Sequence, residues 1–166
     1  MSFNPWVLTY DPNGNLFVGG DNVVSSSDKF VLAELPSGKS KFRQLELDKP
    51  AIWASGLQWD GEYVSLYTGG PGIRGRIYQL RIASSKAIVV KTLYFAEMLK
   101  RPSNIWISGN NILSITRPIS KQVEIGYWRY PEGGKPYETL RGYYGPPLTL
   151  SVAPSRSRIP QVRNNT

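Results

Sequence analysis

The side chains that could do chemistry in this chain are carboxylates, amides, guanidinium groups and aromatic rings, because its 166 residues include no His and no Cys. The absence of imidazole removes the usual general base, the Ser-His-Asp and Cys-His constellations, and nearly every zinc site. The absence of thiols removes disulfide frameworks and thiolate metal sites. We therefore expect a protein without catalytic residues, without a cofactor and without a bound metal.

Two of the carboxylates, Asp11 and Asp60, stand in short Gly-containing segments between apolar runs. An Asp at such a position commonly accepts hydrogen bonds from the backbone of its own turn. The sequence therefore predicts turn-capping roles for both of them and no part in catalysis.

Basic residues concentrate in the second part of the chain. Residues 1–99 hold ten Lys or Arg against nine Asp or Glu, whereas residues 100–166 hold ten against three. Such an excess often reports a polyanionic partner, although it also serves solubility alone. The Lys and Arg are spread singly, with only Lys100 and Arg101 adjacent. Nucleic-acid binding is therefore open but not favoured.

No targeting or membrane segment is predicted from the sequence. Residues 1–6 do not combine a basic region with an apolar run, so they do not match a signal peptide. No run of eighteen apolar residues is present, which predicts that the chain does not span a membrane. The sequence leaves the compartment unknown.

The elements that position these side chains follow from an internal repeat of about 45–50 residues. Each repeat has two apolar strands joined by a tight Gly-containing turn, a third strand, a polar turn and a more polar fourth strand. The predicted hairpins span 6–18, 55–66 and 103–115; the third strands 30–35, 76–82 and 123–130; the fourth strands 41–47, 87–93 and 135–140. Four strands at this period are typical of a propeller blade.

We therefore predict an all-β fold of propeller-like, four-stranded antiparallel blades within a domain at 1–154. The blades lie at about 3–49, 50–99 and 100–144, and the first strand of a fourth follows at 145–154. Residues 155–166 show no periodicity and are predicted to form a basic tail. Trp59, Trp106 and Trp128 lie inside strand patterns, so we expect them to pack between blades.

Three motifs resemble the NHL-type propellers of bacteria. Asp-Pro-Asn-Gly-Asn-Leu-Phe-Val at 11–18 resembles the family hairpin D-x-x-G-N-L-Y-V. The segment at 127–140 resembles V-x-x-Y-P-x-G-G-x-P-x-x-T-L, and the segment at 142–148 resembles the entry to the next blade, G-F-x-x-P-x-G-L. The resemblance covers roughly residues 3–154 and implies the propeller fold. It also implies that a secreted or periplasmic location is possible.

The same resemblance implies several functions, because these propellers include binding modules, scaffolds, lyases and metal-dependent lactonases. The lyases use a catalytic His, which this chain does not contain. The lactonases hold a divalent ion on Glu, Asp and Asn; by residue type alone, Asn104 and Asn111 are candidates here. A metal-assisted lactonase or hydrolase is therefore our second alternative.

A basic and aromatic loop face is the predicted binding site. In four-stranded antiparallel blades, the connections from second to third strands share one face with the connections between blades. Arg and aromatic side chains on such loops suit stacking against sugars or peptide side chains. The candidates for binding a ligand or partner are Trp53, Arg74, Arg101, Arg117, Tyr143 and Tyr144.

Three blades are fewer than the roughly four to eight of a closed propeller. An open arc exposes sheet faces and edges, which favours association over an isolated monomer. The partner is either a second copy or another polypeptide. Our leading hypothesis is a non-catalytic interaction module that binds a protein, a glycan or another anionic ligand. The first alternative is a structural subunit of a larger assembly whose partner completes the propeller.

Overall fold

The computed structural model describes residues 3–22, 30–52, 54–70, 73–96, 105–116 and 122–144. These residues contain strands and turns and no helix. In chain order the strands are β1 (Phe3–Tyr10), β2 (Leu16–Asn22), β3 (Phe30–Leu35), β4 (Arg43–Leu47), β5 (Gly56–Trp59), β6 (Val64–Gly70), β7 (Ile73–Ala83), β8 (Lys86–Tyr94), β9 (Ile105–Ser108), β10 (Asn111–Thr116), β11 (Gln122–Arg129) and β12 (Gly133–Tyr144).

The strands form three antiparallel units of four, which confirms the predicted all-β, propeller-like architecture. Unit 1 is β1–β4, unit 2 is β5–β8 and unit 3 is β9–β12, and neighbouring strands pair in chain order within each unit. The strand predicted at 145–154 and the tail at 155–166 lie outside the described residues.

One feature of the sheet was not predicted from the sequence. The end of β4 pairs in parallel with the start of β8, through Glu46 opposite Lys86 and Leu47 opposite Ala87. This short ladder joins units 1 and 2 into one eight-stranded sheet, whereas unit 3 forms a separate four-stranded sheet. A repeat pattern reports what each unit contains, but it does not report how the outer strands of two units meet.

The hairpin turns form as their residues predict. Asp11 Oδ1 accepts hydrogen bonds from the backbone N–H groups of Asn13 and Asn15, both at 2.9 Å. Asp60 Oδ1 accepts from those of Glu62 at 2.9 Å and Tyr63 at 2.7 Å. Each first hairpin turn also contains a Gly with positive φ, namely Gly14, Gly61 and Gly109. The predicted turn-capping roles of both Asp residues are confirmed.

Unit 2 is buried on both faces, because successive side chains of a strand point to opposite sides of the sheet. On β6 and β7, Val64, Leu66, Tyr78 and Leu80 face unit 1 and join a core with members such as Phe17, Phe30 and Leu32. Tyr67 and Ile77 face unit 3 and join a second core. The remaining members of that second core are Leu93, Phe95, Ile105, Ile107, Ile112, Trp128 and Tyr130.

The three strand Trp residues differ in their burial. Trp128 is fully buried in the second core, where its indole Nε1 donates to the carbonyl of Ala96 at 3.1 Å. Its ring meets Phe95 edge-on, with ring centroids 6.4 Å apart. Trp59 is partly buried against the first core. The predicted packing between units is confirmed for these two. Trp106 is partly exposed. Ile105 and Ile107 on either side of it face unit 2, so Trp106 lies on the other face of β9 and points away from unit 2.

The three units run in the same direction. The backbone N–H of Trp59 donates to Thr9 Oγ1 at 2.9 Å, and that of Ile107 donates to Gln58 Oε1 at 2.7 Å, so β1, β5 and β9 lie side by side in register. One edge of the molecule therefore carries the hairpin turns, and we call it the turn edge. The other carries the connections between second and third strands and between units, and we call it the loop edge.

Replacement of Trp128 tests whether the second core holds unit 3 to unit 2. Because Trp128 is fully buried, Trp128→Ala leaves a cavity, and we expect the free energy of unfolding to fall by about 3–5 kcal/mol. Trp6 is the matched control because it is 46% exposed and its main polar contact is one bond to Ala54 O. Trp6→Ala should cost about 1 kcal/mol. Urea unfolding followed by circular dichroism measures both; equal losses would contradict this assignment.

Candidate functional site

The topology brings some of the predicted site residues to one edge. Arg74 lies near the start of β7, and Tyr143 and Tyr144 lie at the end of β12, opposite Val123 and Gln122 of β11. All three backbone positions are at the loop edge. Their side chains lie outside what the structure describes. Trp53, Arg101 and Arg117 fall outside the described residues altogether.

A groove of about 890 Å³ opens at the loop edge of unit 1. Its walls are the start of β3, the end of β4 and the connection that follows β4, and Ser85 of the β7–β8 turn closes one side. The volume is within the range of ligand-binding pockets. The described lining is Phe30, Val31, Gln44, Leu45, Glu46, Leu47, Lys49, Pro50, Ala51, Ile52 and Ser85. Ile52 is the described lining residue next in sequence to the predicted site residue Trp53, which lies outside the described residues.

The connecting wall of the groove is held in place by side chains of unit 2. The Thr68 hydroxyl holds the backbone of Ile52 through two hydrogen bonds. Thr68 Oγ1 accepts from the Ile52 N–H at 2.9 Å and donates to the Ile52 carbonyl at 2.7 Å. The Asp48 carboxylate accepts from the N–H of Val89 at 2.9 Å. The wall is therefore fixed before any ligand arrives, which lowers the entropy that binding would cost.

The groove follows the edge of β4 more than one of its faces. Four successive β4 residues, Gln44–Leu47, line it, although neighbouring strand side chains point to opposite sides. The N–H groups of Glu46 and Asp48 point outward and donate to Ser85 and Ala87. By the two-residue period, the backbone of Gln44 points the same way. Because the ladder with β8 ends at Ser85, this part of the β4 edge faces the groove.

The lining is mainly aliphatic, with a few polar groups at its mouth. Phe30, Leu45 and Ala51 are buried, whereas Gln44, Glu46 and Lys49 are exposed. Apolar walls with a small number of polar groups are the usual composition of a binding site. The sequence predicts a basic and aromatic edge. In the described lining of the groove, Lys49 is the basic residue and Phe30 is the aromatic residue.

A second polar site lies between units 2 and 3, at the turn edge. Asp60 Oδ2 accepts hydrogen bonds from Ser65 Oγ and Gln79 Nε2, both at 2.9 Å, and from the phenol of Tyr130 in a very short contact. The Tyr130 oxygen also lies 2.7 Å from Ser65 Oγ and accepts from Gln79 Nε2 at 3.0 Å. We call these four residues the Asp60 cluster.

Hydrogen bonding sets the ionisation of this cluster. Burial acts to raise the pKa of Asp60, but the bonds from Tyr130, the Tyr63 backbone, Gln79 and the Glu62 backbone together hold it below the usual value. Burial, followed by the bond to the Asp60 carboxylate, raises the pKa of Tyr130. Asp60 therefore stays ionised and Tyr130 stays protonated, which is the state that the hydrogen bond between them requires.

The Asp60 cluster is better suited to hold two units together than to do acid-base chemistry. Both oxygens of Asp60 accept protein donors, and Ser65, Gln79 and Tyr130 are buried. A general base must reach a substrate proton with a free lone pair. Sequence reasoning predicted the turn cap at Asp60 but missed the bond to Tyr130, because nothing in the spacing of residues 70 apart signals that they meet.

The remaining candidates for chemistry are placed as follows. Asn111 Oδ1 accepts a hydrogen bond from the Tyr137 phenol at 3.1 Å, and Asn104 lies outside the described residues. Within the described ranges, no group of three or more Asp and Glu side chains is arranged to hold a metal ion. The same part of the chain contains no helix long and apolar enough to cross a membrane.

A scan of the chain against protein-family models and a search of curated proteins both find no match. The resemblance to NHL-type propellers therefore stays a prediction from the three motifs.

Asp60→Asn tests the cluster through its pH dependence. Because the folded-state pKa of Asp60 lies below its ordinary value, the carboxylate stabilises the fold above that ordinary pKa, and this contribution is lost as the pH falls through the lowered pKa. Asn keeps the shape without the charge, so we expect a loss of about 1–2 kcal/mol at pH 7. The gap to the unmodified protein should narrow below about pH 4.

Asp11→Asn is the matched control, because Asp11 occupies the same turn position and its recorded bonds stay within its own turn. Urea unfolding of both variants across pH gives the comparison. An Asp11→Asn loss as large as that of Asp60→Asn, or a gap that does not change with pH, would contradict the role of the cluster.

Proposed function

We propose that this chain is a non-catalytic interaction module of the propeller type, related to NHL repeats, and that it binds an extended polypeptide segment in the groove at its loop edge. The observation that carries the proposal is the groove itself, a ligand-sized space along a strand edge, with apolar walls and a pre-positioned connection. It lies on the edge where the sequence predicts binding.

An extended polypeptide suits this geometry because it can add to the β4 edge. The outward backbone of Gln44 continues the ladder that Glu46 and Asp48 begin with unit 2. In strand addition the main chain supplies hydrogen bonds and alternate side chains enter pockets on the two sides. Here Leu45 and Leu47 line one side of the β4 edge, and Val31 and Glu46 line the other side. A glycan would rely more on aromatic stacking, and Phe30 is the one aromatic ring in the described lining.

Selection from a random dodecapeptide display library tests this proposal. We expect selected peptides to show alternating apolar residues and to bind with affinities measurable by fluorescence polarisation. Lys49→Glu changes a charge at the mouth of the groove and Ser85→Trp fills its side, so each should weaken binding at least about tenfold, which corresponds to about 1.4 kcal/mol.

The controls make the same changes on exposed residues away from the groove. Lys91→Glu reverses a charge on β8, and Ser37→Trp adds the same bulk to the β3–β4 turn, and neither should alter peptide affinity. Equal effects of the groove variants and the controls would contradict the site. Binding of neutral or acidic oligosaccharides that Lys49→Glu abolishes, with no peptide selected, would replace the polypeptide with a glycan.

The alternative of a structural subunit is favoured by a different observation. Leu8 and Tyr10 are exposed on the side of β1 turned away from unit 2, at the open end of the stack of units. These side chains are not part of the groove, and a partner that covered them would extend the stack.

A further inference from the structure

The units of this chain meet through contacts that occur twice at equivalent positions. On the inner strands, Thr9 accepts from the N–H of Trp59, and Gln58 accepts from the N–H of Ile107. Thr9 and Gln58 both lie two residues before the Asp of a hairpin turn. Units 1 and 2 therefore each offer a side-chain acceptor to the backbone of the next unit's first strand, whereas unit 3 has Trp106 at the equivalent position.

The outer strands repeat a second contact. At the end of β4, the N–H of Glu46 donates to the carbonyl of Ser85 at 2.8 Å; just after β8, the N–H of Ala96 donates to the carbonyl of Gly134 at 2.7 Å. Ser85 and Gly134 correspond in the sequence repeat, since each directly precedes the first Lys after a third strand. The end of each outer strand thus bonds the turn that begins the next outer strand.

Unit 1 presents the receiving half of this interface, and none of the described units precedes it. On the inner strand, Tyr10 of unit 1 is equivalent to the donors Trp59 and Ile107. On the outer turn, Gly38 is equivalent to the acceptors Ser85 and Gly134, because it directly precedes Lys39. Val7 and Thr9 face unit 2, so Leu8 and Tyr10 point outward, where they are 63% and 58% exposed. We call this outward side of unit 1 the leading face.

Unit 3 presents the other half. Its side turned away from unit 2 carries Trp106, Leu113 and Tyr127, which lie opposite one another on β9, β10 and β11. Beside them the Arg129 guanidinium lies 4.7 Å from the centre of the Tyr137 ring, and that phenol donates to Asn111. Contacts among these side chains give an ordered, largely aromatic layer. We call this side of unit 3 the trailing face.

We infer that the trailing face of one copy docks on the leading face of a second copy, in the orientation that joins the units within the chain, with Trp106 in the place of the Thr9 and Gln58 acceptors. A second copy is the favoured partner because the leading face carries the receiving positions of an interface that this sequence already forms twice, and the trailing face carries an ordered aromatic layer that can cover it. Two copies related by a twofold axis make this contact twice and leave no free end. The resulting ring has six units, within the range of about four to eight for propellers, and it covers the open faces.

Solution mass tests the proposal directly. Sedimentation velocity of the full chain should give twice 18.6 kDa. Leu8→Arg places a charge on the leading face at a residue already exposed in one copy, so it should convert the dimer to a folded monomer. Val90→Arg is the control, because Val90 is also an exposed aliphatic residue, at 41%, but lies on β8 away from both faces. It should leave the mass unchanged.

A cysteine pair identifies which faces meet, and the chain has no Cys of its own to interfere. Leu8→Cys combined with Trp106→Cys should give a disulfide-linked dimer on mild oxidation, because two unit interfaces separate these positions within one copy. Leu8→Cys combined with Val90→Cys should not. The groove variant Lys49→Glu should leave the mass unchanged, which separates this test from that of peptide binding.

Three results would overturn the inference. The first is a monomeric full chain, or any assembly that does not contain two copies. The second is a dimer that Leu8→Arg leaves intact. The third is a monomer that associates only after residues 145–166 are removed, since the chain's own C-terminal segment would then be what covers the leading face.

Discussion

The structure depends on the fact that a four-stranded sheet of this sequence has two apolar faces and cannot bury either one alone. Unit 2 shows the constraint most clearly, because alternate residues of β6 and β7 supply both cores. Burial of apolar area is the main favourable contribution to folding, at about 25 cal/mol per Å². The stack is therefore stable only where a neighbouring unit covers each face, and the same requirement continues at its two ends.

Polar contacts fix the register that apolar packing leaves free. The hydrogen bonds that the backbone N–H groups of Trp59 and Ile107 donate to Thr9 and Gln58 set the inner strands side by side. The Asp60 cluster fixes the turn edge of unit 2 to unit 3. A buried polar group without a partner costs about 1–3 kcal/mol. A stack shifted by one residue would leave several such groups unpaired, so these bonds select one arrangement among many of similar apolar area.

The sequence was sufficient for the architecture because its local signals agree. Gly beside Asp or Asn marks each first hairpin, strand patterns fill the intervals, and β3 begins and ends at the predicted residues 30–35. The groove and the Asp60 cluster could not be predicted in the same way. Both depend on where separate units meet: Ser85 reaches β4, and Tyr130 reaches Asp60 across 70 residues. Repeat periodicity carries no information about such contacts.

The groove and the end faces follow from one geometric feature of the stack. The inner strands stay side by side along their length, whereas the outer strands of units 1 and 2 pair only at Glu46 and Leu47. Two units whose inner strands are in contact along their length and whose outer strands pair over two residues must diverge toward the outside. This divergence leaves a space along β4. The same divergence leaves a stack of three units with two uncovered end faces. The groove along β4 and the proposed closure of the stack are therefore both related to how the outer strands meet.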